Sequence, residues 1–514
     1  MIYNIDTPLF QIPSTPENPV SWTVRNAVEG TQIFGGIGSG KSSGSGRYLA
    51  IKFLQEGFGG LVLTVKPDER AMWEEYCRLA GRTNDLIIIE PNGKYHFNFI
   101  DYESTGNDSK SATENIVQVL KTVIRASETK SSGKSDDPFW ENALDMLLFN
   151  VIDLCKLAFR KVSIESLFEI VQSIPKLSET QSERTPSKPS ERGTAKKVSA
   201  FELAMNLAKK RVEELVQDFV KGLSDDDIEY LNLSGMLEKK IGEKFPEARL
   251  YYQVESFFTD NYRQLSDKTR SIIDFSFSAF LFRLLREPVY STFCSKESNV
   301  TPDDCLTGKI ILIDLPVKLY NKVGQDCQVM FKYIWQRAME RRDINANGRP
   351  VFLWSDEAQN FLHEYDATYQ ATARSSRIAT VYISQNLPNY NANMGGSHGE
   401  YRVKSFLGTL STKIFHANAD FDTNSYASQL IGDGLFDKYS ANRGISSGKS
   451  NTGTSVDQVF ERHIRPEDFA LLSTGGPKNK LKSSAILHFQ GMKIGEGQTF
   501  TLMNFNQNYP SSNS

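Results

Sequence analysis

The chain has 514 residues, 39% of them hydrophobic, 11% aromatic and 24% charged. This is the composition of a globular protein, and it excludes wholesale disorder as well as a disulfide-stapled miniprotein. A formal net charge of −3 excludes a uniformly basic surface, so any contact with nucleic acid has to be a local patch or the lining of an oligomeric pore.

In chain order, short apolar runs bounded by turn residues alternate with helical stretches, the pattern of a parallel sheet with crossover helices. The opening residues have no basic segment leading into an apolar core, so no signal peptide is expected. The richest apolar stretch, Met146–Cys155, is interrupted by Asn150 and Asp153 and does not predict a membrane span. Strands are predicted at Gln32–Phe34, Leu61–Val65, Leu86–Glu90, Ile310–Leu315, Val351–Ser355, Ala379–Ser384 and Lys413–His416. Most are apolar on both faces, as buried parallel strands are. Helices are predicted from Lys41 to about Glu56, over Glu69–Leu79 and over Asp326–Arg341. Together these give an α/β fold with a mostly parallel central sheet. Between its halves the apolar spacing turns to threes and fours, which predicts an all-α insertion. The expected division is therefore 1–138 and 288–514 for the α/β domain and 139–287 for the insertion. Within the insertion, 178–199 is rich in Ser, Pro and Lys and is expected to be a flexible loop. A second polar, glycine-rich stretch, Ser440–Ser455, is expected to be a mobile surface loop. Five cysteines without CxxC spacing argue against zinc or redox chemistry and for a reducing, cytoplasmic setting.

Gly35-Gly36-Ile37-Gly38-Ser39-Gly40-Lys41-Ser42, followed by Ser43, fits G-x-x-x-x-G-K-[ST] directly after a predicted strand, which makes the α/β domain a P-loop NTPase (ATPase) fold, RecA-like and of the additional-strand type. Glycines let backbone N–H groups turn toward the β- and γ-phosphates of ATP, Lys41 reaches phosphate oxygens, and the Ser42 hydroxyl coordinates Mg²⁺. Gly444-Ile-Ser-Ser-Gly448-Lys449-Ser450 has one residue too few between its glycines and no strand before it, so it reads as a loop. Val351–Ser355 runs into Asp356 and Glu357: a strand-tip acid for the Mg²⁺ shell and a general base for the attacking water. Asp314 is the alternative metal ligand, although no glutamate follows it. Gln385, at the tip of another predicted strand, is placed to contact the γ-phosphate or the attacking water. Arg374 and Arg377, at the end of a predicted helix, are candidates for a finger reaching into a neighbouring subunit.

The P-loop, the DEAQNF stretch at 356–361, ARSSRIATVYISQN at 373–386, TKIFHANADFDTNSYASQLIGD at 412–433 and FWENA at 139–143 together resemble the TraG/TraD-type type IV coupling proteins, among the hexameric DNA-pumping translocases. The resemblance runs nearly the whole chain in order. It implies a homo-hexamer with ATP at subunit interfaces, DNA in the central channel, and an all-α domain that receives a relaxosome or secretion substrate. In such translocases an arginine precedes the strand-tip glutamine by eleven positions, which selects Arg374 here. Coupling proteins usually begin with transmembrane helices, whereas this P-loop strand begins near residue 32; the expectation is a cytoplasmic chain, held at the inner membrane by a separate partner or a soluble relative. The leading expectation is an ATP-driven DNA translocase. The alternatives are a protein-substrate receptor ATPase of a type IV secretion system and an ATP-dependent switch in a phage-defence assembly.

Overall fold

The computed structural model describes residues 3–14, 19–105, 112–128, 138–175, 198–224, 226, 229, 231, 236–394, 399–446, 449–494 and 497–508. The chain divides into two compact units: Met1–Ile88, Pro302–Gln328 and Trp335–Ser514 form the first, and Ile89–Thr301 with Val329–Ile334 the second. The second unit thus starts well before residue 139 and ends after residue 287. The expected loop at 178–199 lies outside the described residues up to 197.

In the first unit the strands are β1 (Pro8–Ile12), β2 (Val20–Thr23), β3 (Thr31–Phe34), β4 (Gly59–Leu63), β5 (Leu86–Ile89), β6 (Ile310–Ile313), β7 (Val351–Ser355), β8 (Ile378–Ser384), β9 (Thr412–His416), β10 (Asp433–Ser446), β11 (Lys449–Arg462), β12 (Lys482–Phe489) and β13 (Phe500–Asn506). Nine of them form one sheet in the order β13-β12-β9-β3-β8-β7-β4-β6-β5. From β9 to β6 every pairing is parallel, while β12 pairs antiparallel with both β9 and β13. Placing β8 between β3 and β7 is what makes this the additional-strand arrangement. Strands β3, β4, β6, β7, β8 and β9 are buried along their whole length, in line with their near-continuous apolar sequence. One face packs an aromatic core: Phe53 stacks on Phe58 at 4.9 Å, Trp73 on Phe352 at 5.5 Å, and Phe10 on Trp22 at 5.1 Å.

The described residues of Ser440–Ser455, expected to be a mobile loop, are instead half of a two-stranded antiparallel ribbon. Its register runs from Asp433↔Arg462 to Ser446↔Lys449. The described ends of both strands are largely exposed, and apolar residues such as Leu435, Phe436, Tyr439 and Phe460 keep no alternation, so the sequence offers no strand period. The helix expected at Asp326 is preceded by a short helical stretch from Val317, and the two are separated by a non-helical backbone at Asn321 (φ 49°, ψ −132°).

Strand β9 also buries a charge. Lys413 is 3% exposed, its Nζ donates to the Leu410 carbonyl at 2.5 Å, and burial pushes its pKa down to about 8 from 10.5. Between these values the unfolded chain binds the proton that the folded chain has lost, so stability rises with pH; it is greatest above 10.5 and falls as pH drops through 8. Lys413→Met is therefore expected to raise the melting temperature at pH 7, with the gain shrinking toward pH 10. Thermal denaturation across that range checks it, and a variant no more stable than wild type at pH 7 refutes it.

The second unit is helical throughout its described residues from Phe99 to Phe293, apart from connecting turns. The helices Pro138–Phe159 and Ala200–Lys221 carry the spacing in threes and fours that predicts an all-α insertion. The latter opens on a capping box, with Ser199 Oγ accepting from the Glu202 N–H at 3.1 Å and Glu202 Oε2 accepting from the Ser199 N–H at 2.9 Å. Cys77, Cys155, Cys294, Cys305 and Cys327 are all buried and unbridged.

Candidate active site

The parallel strands all deliver their C-terminal ends to one edge of the sheet, where doubly wound folds bind ligands. Register aligns Phe34 with Ser384 and with Phe415, and Ser355 with Tyr382, so the segments leaving β3, β7, β8 and β9 converge. Out of β3 comes the glycine-rich turn. Gly35 N–H donates to the Ser384 carbonyl at 3.3 Å and Gly36 N–H to the Ala417 carbonyl at 2.8 Å, which ties the turn to both neighbouring strands. At Gly40, φ is +88°, and a Cβ there would lie 2.5 Å from Ser483 Cβ, so both backbone conformation and space demand glycine. Lys41–Gly46 then forms a π-helical turn that runs into the helix Arg47–Gln55, aiming free N–H groups back at the cleft.

Gly38, Ser39, Gly40, Lys41, Ser42 and Ser43 line a cleft of about 420 Å³ together with Lys66, Asp356, Glu357 and Gln385, and Ile37 stands at its rim, 89% exposed. Ser42 Oγ donates to Asp356 Oδ2 at 2.7 Å, across 314 residues of sequence. Glu357 takes a left-handed backbone (φ 49°, ψ 49°), which turns its side chain into the cleft. Its carboxylate accepts from Gln359 Nε2 at 2.9 Å and from Gln385 Nε2 at 3.3 Å. Burial alone would raise the Glu357 pKa, but the Gln359 hydrogen bond, the Lys41 charge, Gln385 and Lys66 together hold it below the ordinary carboxylate value. Lys41 is 7% exposed; burial lowers its pKa, against the pull of Glu357 and Asp356.

The other candidates separate cleanly. Asp314 lies outside this cleft and pairs with Arg70 at 3.0 Å. Arg377 is tied down as a strut, its Nη1 donating to the carbonyls of Gly348 at 2.7 Å and Tyr3 at 3.2 Å. Arg374 precedes β8 and so sits at the opposite edge of the sheet from Gln385, seven strand residues away, roughly 20 Å at the rise of an extended chain. There it is 60% exposed on its side chain and pairs with Glu29 at 3.2 Å.

The family model for type IV secretory system conjugative DNA transfer matches residues 12–473. The chain belongs to this family. Its fold is similar to that of a solved structure: the bacterial conjugative coupling protein TrwBdeltaN70, in an unbound monoclinic form, superposes with a TM-score of 0.59 at 14% identity, covering 95% of this chain and 87% of that one. TrwB in complex with ADP and Mg²⁺ gives 0.57 at 14% identity over 96% and 89%, and TrwB with the non-hydrolysable ATP analogue ADPNP gives 0.55 at 15% over 95% and 89%. No curated protein matches this chain by sequence.

For a member of the conjugative transfer family, the cleft also holds residues that motif reading missed. Lys66 and Glu69 follow β4, and Glu69 is buried with its pKa raised to about 8, first by burial and then by Asp356. Behind the glycine turn, Ser45 Oγ and His416 Nε2 lie 2.7 Å apart, and burial with the Lys41 charge pushes His416 down to about 3, so it is neutral there. Gln507, just past β13, donates to Ser43 Oγ at 2.7 Å. The Lys-Pro-Asp-Glu run after a buried strand was the one local signal among these. Among the described residues no helix is long and apolar enough to cross a membrane, and no cluster of His, Cys, Asp and Glu has the form of a metal site.

Proposed function

We propose that this chain is an ATP-hydrolysing motor that moves DNA in conjugative or mobile-element transfer, working as a homo-hexameric ring with nucleotide between subunits. The single observation that carries the reading is the 2.7 Å bond from Ser42 to Asp356, which brings the glycine-turn hydroxyl and the strand-tip acid to one point beside Lys41. Two hard oxygen donors side by side at a phosphate cradle suit Mg²⁺, and neither needs to move far to share it. Bound Mg²⁺·ATP would supply the scissile phosphoanhydride and a divalent charge to offset the phosphate oxygens.

The chain's own groups then have distinct tasks. Backbone N–H groups of Gly36–Ser43 and the Lys41 ammonium would bind the phosphates, and Ser42 and Asp356 would hold the metal. Glu357, ionised and held by two amides, orients the attacking water and accepts its proton. Gln385 steadies that carboxylate and is close enough to register the terminal phosphate. Arg374, too far from its own cleft and facing outward, is assigned to the cleft of the adjacent subunit as a finger. Family membership supports DNA as the polymer; a relaxosome or secretion protein as cargo for the all-α unit, and a separate membrane partner, belong to the same reading.

Size-fractionated protein tests it directly. DNA is expected to raise the ATPase rate of the ring fraction, and binding through six to ten phosphate contacts is expected to weaken on the order of 10³–10⁵-fold between 50 and 200 mM salt. With a net charge of −3, that steepness has to come from a local basic lining. Turnover indifferent to DNA length and structure would remove the motor.

A further inference from the structure

Thr64, Val65 and Lys66 continue from the C-terminal tip of β4, the strand beside β7, and so arrive at the same sheet edge as Asp356 and Glu357. Two features fix the direction in which Lys66 leaves. Pro67 steers the residue before it away from helical backbone. Glu69 Oε2 accepts N–H bonds from both Val65, at 2.7 Å, and Lys66, at 3.3 Å. The Lys66 ammonium consequently stands 3.8 Å from Asp356 Oδ2 and 3.6 Å from Glu357 Oε1, bridging the two acids.

The charges explain why this cation has more than one use. Around the acid pair, Lys41 and Lys66 balance Asp356 and Glu357 in the nucleotide-free cleft. Once Asp356 serves as a metal ligand, one of the two contacts that hold Lys66 is given up, while phosphate oxygens bring fresh negative charge to the same wall. A lysine suits such an exchange, because its compact charge on a four-carbon stem has three rotatable donors and no fixed fork to satisfy.

We propose that Lys66 is a second phosphate-binding ammonium, which bridges Asp356 and Glu357 in the nucleotide-free cleft and turns to the terminal phosphate of bound ATP. The proposal rests on the ATPase reading. It places Lys66 at the γ-phosphate rather than nearer the ribose because its contact with Glu357 puts it at the end of the cleft where water attacks. Glu69 is the positioning residue for it, through the two backbone bonds.

The test is equilibrium binding of a fluorescent non-hydrolysable ATP analogue and of fluorescent ADP, both with Mg²⁺, to wild type, Lys66→Met and Lys66→Arg. Lys66→Met is expected to weaken the ATP analogue by about tenfold or more, the worth of one charge-assisted hydrogen bond, and ADP by less than about twofold. Lys66→Arg is expected to recover most of the loss. Should the Met variant fail to fold, Lys66→Gln is read by the same criterion. Equal weakening of both nucleotides would reduce Lys66 to a strut for the acid pair and overturn the proposal, as would no weakening of either. Wild type that binds neither nucleotide would overturn the ATPase reading itself, whereas wild type binding both alongside an unaffected Lys66→Met overturns only the role of Lys66.

Discussion

Glu357→Gln is expected to bind ATP with Mg²⁺ within a few-fold of wild type and to lose roughly 10²–10⁴-fold in turnover, the range set by removing a positioned general base. The affinity should survive because the groups assigned to the phosphates and the metal, namely the glycine turn, Lys41, Ser42 and Asp356, do not depend on Glu357, and the Ser42–Asp356 bond at 2.7 Å is made without it. Turnover should fall because the amide keeps the shape of the side chain but cannot take a proton. The surroundings sharpen the contrast: Gln359 at 2.9 Å and Gln385 at 3.3 Å donate to the carboxylate, and they stabilise the charge that the substitution deletes. Single-turnover hydrolysis of labelled ATP, alongside equilibrium binding, separates the two quantities. A variant within tenfold of wild type would move the base elsewhere in the cleft.

Arg374→Ala should be as severe by a different route. A finger supplied across an interface is worth about 10³–10⁵ in turnover, and its loss leaves nucleotide binding in the subunit's own cleft largely intact. The geometry makes a sharper claim than the loss alone. Because Arg374 stands at the far edge of the sheet from its own Gln385, only a neighbour's cleft is open to it. Mixing Arg374→Ala with Glu357→Gln subunits should therefore restore activity: about a quarter of the head-to-tail interfaces in an even mixture pair an intact Glu357 with an intact Arg374. The pair with Glu29 at 3.2 Å is expected to open when the ring closes, since an exposed ion pair holds its partners only weakly. ATPase assays on mixed rings recovered by size exclusion measure this. No recovery in mixtures that co-elute as rings would return Arg374 to the role of a surface residue, and so would full activity of Arg374→Ala by itself.

Much of this cleft could be read before any coordinates, and the reason is locality. The glycine turn from Gly35 to Ser43 is a contiguous code, in which each residue type answers a demand made within the turn itself. The strands Val351–Ser355 and Ala379–Ser384 announce themselves because burial on both faces leaves an unbroken apolar run, and their tips then point to Asp356, Glu357 and Gln385. The helix Glu69–Leu79 was legible for the same reason, its apolar residues keeping helical spacing. Asp314 and Arg377 remained competitors because a strand-end acid and a helix-end arginine look alike in sequence whether they serve a substrate or a neighbour. Only their partners, Arg70 for one and the carbonyls of Tyr3 and Gly348 for the other, distinguish them.

What escaped depends on residues distant in the chain. The antiparallel strands β12 and β13 have less apolar, partly solvated sequences, yet β12 brings Ser483 against Gly40 and the segment after β13 brings Gln507 onto Ser43. The ribbon β10–β11 is largely exposed where it is described, and its apolar side chains, such as Leu435, Phe436 and Phe460, keep no alternation that could be read. By itself the sequence determined the P-loop ATPase fold, the order of its central strands along the chain and the location of the glycine turn and the strand-tip acids, since these are set by contiguous patterns of burial and backbone freedom. Only the tertiary structure decided that Lys66 bridges the two acids, that His416 is held neutral behind the glycine turn, and that Arg374 faces away from its own cleft. Charge pairing, desolvation and the side of the sheet to which a residue belongs arise from segments hundreds of residues apart, and they exist only once the sheet has closed.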